Sequence, residues 1–285
     1  MPASIRHGEW QGLRALLVET AWSRAAVSLH GGQLLSFVPS AGEDLLWLSP
    51  LSRRPPQAIR GGVPVCWPYF GREGQPAQVP QHGHARTSAW TLADSRLTDD
   101  GVAVLELVLP PRADTPLQLT QTLHLGRGLR QSLATRNTGP TPVSLTQALH
   151  SYFRVGDSLQ VQLRGLQGLR YSDRFDGGQH LQSGAWDLHD PRDPGRSDRT
   201  YHQAGPRFVL HDPVLQRRIE LEVAGSQALV AWNPGATGVA ALGDVAADGW
   251  RGFVCLEAAN AGEDVIPLQT GQVHVLQQSV HVSPL

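Results

Sequence analysis

Apolar and polar residues alternate with period two along most of the chain. No window of a dozen residues carries the i, i+3, i+4, i+7 spacing of an amphipathic helix. Leu117, Leu119, Gln121, Leu123 and Leu125 fall on one face of a long alternating run. Segments 102–109, 129–135, 143–155, 228–232 and 272–282 read the same way, as do the shorter runs at Leu159, Val161 and Leu163 and at Ile219, Leu221 and Val223. Near the start, 13–18, 26–30 and 33–38 form a meander with Gly31-Gly32 as a tight hairpin turn, and 44–48 continues it. Turn residues every eight to twelve positions complete the pattern of a large antiparallel all-β protein. Two stretches interrupt it: the proline- and glycine-rich segment 49–80, and segment 174–199, rich in Asp, Gly, His and Pro. Long irregular segments in a compact fold are usually functional, which makes both candidates to carry site residues.

The chain has 285 residues, more than most single domains, yet large all-β folds absorb such lengths undivided. With no internal repeat and no shift in composition, residues 1–285 are expected to form one domain. A net charge of −1 offers no global field for nucleic acid or an anionic membrane. All 24 basic residues are arginine. The absence of lysine excludes Schiff-base chemistry, lysine-anchored pyridoxal phosphate and the lysine of a Walker loop, so any anionic group falls to guanidinium. The first residues lack the apolar core of a secretory signal, and no apolar run is long enough to span a bilayer; a cytoplasmic monomer is the expectation. Cys66 and Cys255 sit in apolar runs and read as buried, reduced thiols.

Candidate chemistry gathers at three places. In the strand-like run 253–260, Phe253, Cys255 and Glu257 share one face, which sets a carboxylate on a largely apolar strand. Such a group either reaches solvent or an arginine, or acts as a base in a pocket. His150 shares its face with Ser144, Thr146, Ala148 and Tyr152, a small polar lining compatible with a pocket and also with a hydrogen-bonded core histidine. Glu257 and His150 together make an acid/base pair possible. The third place joins Arg60-Gly61-Gly62, where the glycines allow close backbone approach to a ligand, to Gln81-His82-Gly83-His84-Ala85-Arg86. On an extended segment His82 and His84 would share a face and could ligate a metal, but no neighbouring acid completes a ligand set, so a polar platform is the better reading. There is no GxSxG nucleophile signature.

Five ordered stretches, Ile59-Arg-Gly-Gly-Val-Pro-Val-Cys-Trp-Pro68, Gln81 to Arg86, Ala148-Leu-His-Ser-Tyr-Phe153, Val230-Ala-Trp-Asn-Pro234 and Val254-Cys-Leu-Glu-Ala-Ala-Asn260, resemble the aldose 1-epimerase superfamily, most closely its hexose-6-phosphate mutarotase branch. The resemblance covers about residues 10–282. It implies a galactose mutarotase-like supersandwich of antiparallel strands with a sugar on its concave face. It also implies Glu257 as general base, His150 as general acid, and His82, Gln81 and Asp198 as sugar-binding residues, Asp198 standing in Ser197-Asp-Arg-Thr-Tyr201. Arg60 and Arg86 match arginines that receive the phosphate of a hexose 6-phosphate. No cofactor, metal, nucleic acid or membrane is implied. Two features depart from the pattern: His84 replaces a usual Phe, and 174–198 aligns poorly. A carbohydrate-binding protein without activity, stacking Trp67, Tyr69, Trp232 or Trp250 on a sugar, is the alternative on the same fold.

Overall fold

In the computed structural model, which describes residues 3–40, 42–72 and 74–285, the alternating runs become antiparallel ladders in two large sheets. A seven-stranded sheet runs in the order Gln179–Leu181, Arg170–Asp173, Ser197–His202, Ala228–Asn233, Phe253–Asn260, Gln147–Arg154, Val65–Cys66. An eight-stranded sheet runs Gln162–Arg164, Arg207–Asp212, Arg217–Ala224, Val273–Pro284, Leu129–Asn137, Leu117–Leu125, Ala103–Val108, Thr91–Leu97. The N-terminal meander forms a four-stranded sheet, Ser4–Trp10, Leu13–Glu19, Ser23–Ser28 and Gln33–Pro39. Helix is confined to short turns such as Gly235–Val239. The all-β supersandwich expected from the sequence is the observed architecture.

Strict alternation explains how the sheets meet. Leu117, Leu119, Gln121, Leu123 and Leu125 are all buried while the residues between them are not, so this strand gives one face to the core and one to the outside. Leu149, Leu256, Leu229 and Phe153 line the inner face of the opposite sheet and join the same continuous apolar cluster as Leu119, Leu133 and Leu276. Polar side chains also bridge the layers. Ser151 Oγ donates to Gln278 Oε1 at 2.9 Å, Gln278 Nε2 to Gln131 Oε1 at 2.9 Å, Gln131 Nε2 to Gln121 Oε1 at 2.8 Å, and Gln121 Nε2 to the Gly32 carbonyl at 2.5 Å. Every residue of this chain whose amide is used is fully buried, and each amide donates in the same direction, an arrangement in which neighbouring bonds polarise one another.

Several segments differ from their sequence reading. The run 143–155 is two strands, because Val143–Leu145 leaves to pair with Ile266–Leu268 and Thr146 Oγ1 instead accepts the Phe70 amide at 2.9 Å. Residues 44–48 make only isolated bridges, Leu46 to Phe153 and Leu48 to Gly61. Ser4–Trp10 and Arg207–Asp212 are additional strands. Segment 174–199 is not wholly irregular: it holds the strand Gln179–Leu181 and ends in Ser197–His202, so Asp198 lies on a strand. Gly61 and Gly62 do bring backbones together, but a Cβ there would strike Trp47 O at 2.4 Å and Leu34 O at 2.3 Å. Their role is to dock the Arg60 segment on the fold rather than to approach a ligand.

Candidate active site

Two neighbouring strands build the centre of the site. Gln147–Arg154 and Phe253–Asn260 pair antiparallel with His150 directly opposite Glu257 and Tyr152 opposite Cys255. The register continues outward to Val230 and Thr200 in the first row and to Trp232 and Asp198 in the second. Asp198 therefore shares the cleft face with His150 and Glu257. The residues between them, Leu149, Ser151, Leu256 and Arg199, point into the core, as alternation demands. On the same side of the sheet Tyr152, Trp47 and Phe253 pack together, with ring centroids 4.5 to 6.0 Å apart across the cluster.

His150 Nε2 stands 3.4 Å from Glu257 Oε1, and the residues are 8% and 1% exposed. Neither His150 Nδ1 nor Glu257 Oε2 has a hydrogen-bond partner among the described residues. An unpaired buried polar atom costs about 1–3 kcal/mol, which sites retain for a purpose rather than for stability. Burial raises the Glu257 carboxyl well above the usual carboxylate range, helped by the charge of Asp198 and opposed by Arg174 and Arg86. Burial, reinforced by Arg86 and Arg60, lowers His150 to about 3. Both shifts favour the uncharged forms. His150 also stacks on Tyr152, with centroids 4.9 Å apart and planes 7° from parallel, and meets the edge of Trp232 at 6.0 Å.

His82 stands with its ring 5.8 Å from that of His150. It is not on an extended segment: φ is 66° at His82 and 74° at Gly83. The turn is locked by the His82 amide donating to Gly71 O at 2.8 Å, and the Gly71 amide in return donates to His82 Nδ1 at 3.2 Å. With Nδ1 accepting, the ring proton sits on Nε2. Burial and then Arg86 push His82 well below the usual imidazole range, so it stays neutral. His84 turns away to Asp114, 3.7 Å from its carboxylate. The two imidazoles thus serve different partners and do not form the shared metal face that an extended segment would give.

Arg60 and Arg86 line a cleft of about 180 Å³ together with His150, Tyr152, Arg53 and Asp244, room for a few waters at ~30 Å³ each and hence for one small polar group. Arg60 is held from behind, Nε donating to Asp244 Oδ1 at 3.1 Å and Nη1 to Tyr152 Oη at 2.9 Å. Arg86 Nη2 donates to the Gln81 carbonyl at 2.8 Å. Gln81 itself is exposed, and its amide lies 3.4 Å from His82 Nε2; its clearest contact is the backbone one that fixes Arg86. Burial raises Asp198 to about 6 against the pull of Arg174. A larger concavity of about 1050 Å³ beside the N-terminal sheet includes His7, Glu9 and Arg54, all exposed, and holds no opposed acid and base.

The structure thus brings His150, Glu257, His82, Asp198, Arg60 and Arg86 to one face. Of the aromatic candidates, Trp67 is buried in the inter-sheet core with Nε1 donating to Thr135 Oγ1 at 3.0 Å, and Trp250 is buried too; Trp232 remains at the cleft. Sequence reasoning missed Asp244, which lies in an unremarkable Gly-Asp-Val context, and Arg174. Both cysteines are buried and unbridged, as expected, and burial pushes both thiols up and out of the reactive range.

Known proteins resemble this chain over most of its length. A protein of Escherichia coli K12 named "Putative glucose-6-phosphate 1-epimerase" is 35% identical over 280 residues, 95% of this chain and 91% of its own length. The crystal structure of a protein from Salmonella typhimurium, titled "putative mutarotase", superposes with a TM-score of 0.89 at 29% identity, over 100% of this chain and 95% of the other. A galactose mutarotase-like protein from Clostridium acetobutylicum, 13% identical, shares the fold with a TM-score of 0.72 over 99% of both chains. The aldose 1-epimerase family model matches residues 15–281. With that match over nearly its whole length, this chain belongs to the aldose 1-epimerase family of isomerases.

Proposed function

We propose that this isomerase is a hexose-6-phosphate 1-epimerase that interconverts the α and β anomers of glucose 6-phosphate, working without a cofactor as a cytoplasmic monomer. The observation that carries the reading is the buried pair of His150 and Glu257, 3.4 Å apart, at a cleft lined by Arg60 and Arg86. The name of the Escherichia coli relative supports the phosphorylated substrate.

Anomerisation moves two protons. Glu257 takes the proton of the C1 hydroxyl as a carbonyl forms there, the C1–O5 bond breaks, and His150 delivers a proton to O5. The open chain then turns about C1–C2, and closure on the other carbonyl face reverses both transfers. One proton suffices for the pair throughout. It reacts from the carboxylate and imidazolium form and is left as carboxylic acid and neutral imidazole while the ring is open. Burial favours that uncharged arrangement, raising the acid and lowering the base. The same burial favours that arrangement before the ring opens, so the proton passes from Glu257 to His150, 3.4 Å away, as the sugar binds. His82 donates from Nε2 to a sugar oxygen, Asp198 accepts from sugar hydroxyls, and the phosphate meets Arg60 and Arg86 through charge-assisted hydrogen bonds.

The test is the rate of anomerisation of glucose 6-phosphate by exchange NMR, with glucose as comparison. Arg86→Ala is expected to lower kcat/KM for the phosphorylated sugar about 10- to 100-fold, the worth of one or two charge-assisted bonds, while glucose changes less than about threefold. Equal losses on both sugars would remove the phosphate assignment. No acceleration of either sugar by the wild type would favour a binding protein instead.

A pH profile tests Asp198. Its carboxyl is raised to about 6, so it is ionised above that pH and protonates as pH falls through it, weakening its acceptance of hydroxyls. With His150 lowered to about 3, the catalytic pair does not gain its second proton in that range. The acid limb of kcat/KM near pH 6 is thus expected to shrink in Asp198→Asn on the same substrate, a comparison that cancels the substrate's own ionisation. An unchanged limb would dismiss Asp198 as its source.

A further inference from the structure

Two strands of the seven-stranded sheet carry the same tripeptide, Ser172-Asp173-Arg174 and Ser197-Asp198-Arg199. They run antiparallel, with Asp173 opposite Arg199 and Ser172 opposite Thr200. The ladder extends one step further, because the Arg174 amide donates to Asp198 O at 3.0 Å. Antiparallel pairing of two Asp-Arg steps sets each aspartate against the other strand's arginine, and alternation sends one pair to each side of the sheet.

On the core side Arg199 Nε meets Asp173 Oδ2 at 3.3 Å, with side chains 1% and 3% exposed. On the cleft side Arg174 Nε lies 4.0 Å from Asp198 Oδ2, with side chains 49% and 23% exposed. The root of Arg174 is rigid: Asp173 is fixed by Arg199, and its Oδ1 accepts the Phe175 amide at 2.9 Å. The tip reaches across the cleft, where Arg174 Nη1 stands 3.7 Å from the position a Cβ on Gly71 would take. Gly71 exchanges two hydrogen bonds with His82. Arg174 thus spans the gap between Asp198 and the turn that carries His82.

We infer that Arg174 is a positioning residue for the sugar, holding the Asp198 carboxylate in place opposite the Gly71–His82 turn and acting through Asp198 rather than on the reacting atoms. The inference rests on the epimerase reading above, which assigns Asp198 and His82 to the sugar. A guanidinium rooted in a fixed strand and bridging both walls sets the width of the cleft where the ring lies, and its charge opposes the loss of charge from Asp198 and Glu257.

The experiment measures kcat and KM separately for glucose 6-phosphate in Arg174→Gln, Arg174→Lys, Asp198→Asn and the double variant Arg174→Gln/Asp198→Asn. Arg174→Gln is expected to raise KM about tenfold while kcat changes less than about threefold, and Arg174→Lys to recover most of the loss by restoring the charge. If Arg174 acts through Asp198, the double variant is no worse than Asp198→Asn alone. A KM within about twofold of wild type in Arg174→Gln, or a double variant that loses the two factors in full, would overturn the inference. A wild type inactive on every sugar tested would overturn the epimerase reading and this inference with it, whereas an active wild type with an indifferent Arg174→Gln overturns this inference alone.

Discussion

Glu257→Gln is expected to lower the anomerisation rate of glucose 6-phosphate by about two to four orders of magnitude, the usual worth of a positioned proton-transfer group. The substitution keeps the shape of the side chain and its place opposite His150 in the ladder. What it removes is the ability to take a proton. Fold stability should not fall, because Glu257 is 1% exposed with one oxygen unpaired among the described residues, and an amide at that position removes the possibility of a buried charge. Exchange NMR on the purified variant, beside a urea midpoint, separates the two quantities. Turnover above a tenth of wild type would refute the assignment of Glu257 as base, and a lowered midpoint would show that its carboxylate supports the fold after all.

The second large effect is expected on stability. Arg199 is 1% exposed and surrounded by Asp173 at 3.3 Å, Asp190 at 2.9 Å and Asp193 at 3.6 Å, with Tyr171 under its guanidinium at 4.7 Å. Burial and the neighbouring Asp173 raise Asp193 against the pull of Arg199 and Arg196. Arg199→Met leaves Asp173 buried without its partner and should destabilise the protein by about 3–5 kcal/mol, as removing one member of a buried pair does. Asp173→Asn placed on that background should return part of the loss, since it withdraws the orphaned charge. Urea unfolding of the single and double variants checks both statements. A single variant within about 1 kcal/mol of wild type would mean the cluster contributes little beyond a surface ion pair.

How much of this could be read from the chain follows from where its polarity lies. Period-two alternation exposed the strands that bury apolar side chains on one face, such as Leu117–Leu125, and parity alone put Glu257 with Cys255 and His150 with Tyr152. Opposition of His150 to Glu257 needs register between strands distant in sequence, which alternation does not encode. The strand Ser197–His202 escaped because its inward residues, Ser197 and Arg199, are buried by pairing rather than by being apolar, and such a segment reads as a loop. The positive φ at His82 has no mark of its own in the sequence, since non-glycine residues adopt that conformation only rarely. Asp244 has no local signal at all; only the folded chain sets it behind Arg60.

The line of buried amides from Gly32 to Ser151 bears on how the site breathes. Ser151 is the neighbour of His150, and its hydroxyl is the terminal donor of that line. Sliding the Gln147–Arg154 strand by one residue would carry His150 off the cleft face and Ser151 off Gln278, which breaks the relay from its end. Apolar partners tolerate small sliding, whereas directional amides do not. Local opening at the cleft rim, around the exposed Arg174 and Gln81, therefore leaves the strand beneath untouched. A register slip of His150 past Glu257 breaks both their shared ladder and the Ser151–Gln278 link between the layers, so its free energy approaches that of unfolding the whole molecule.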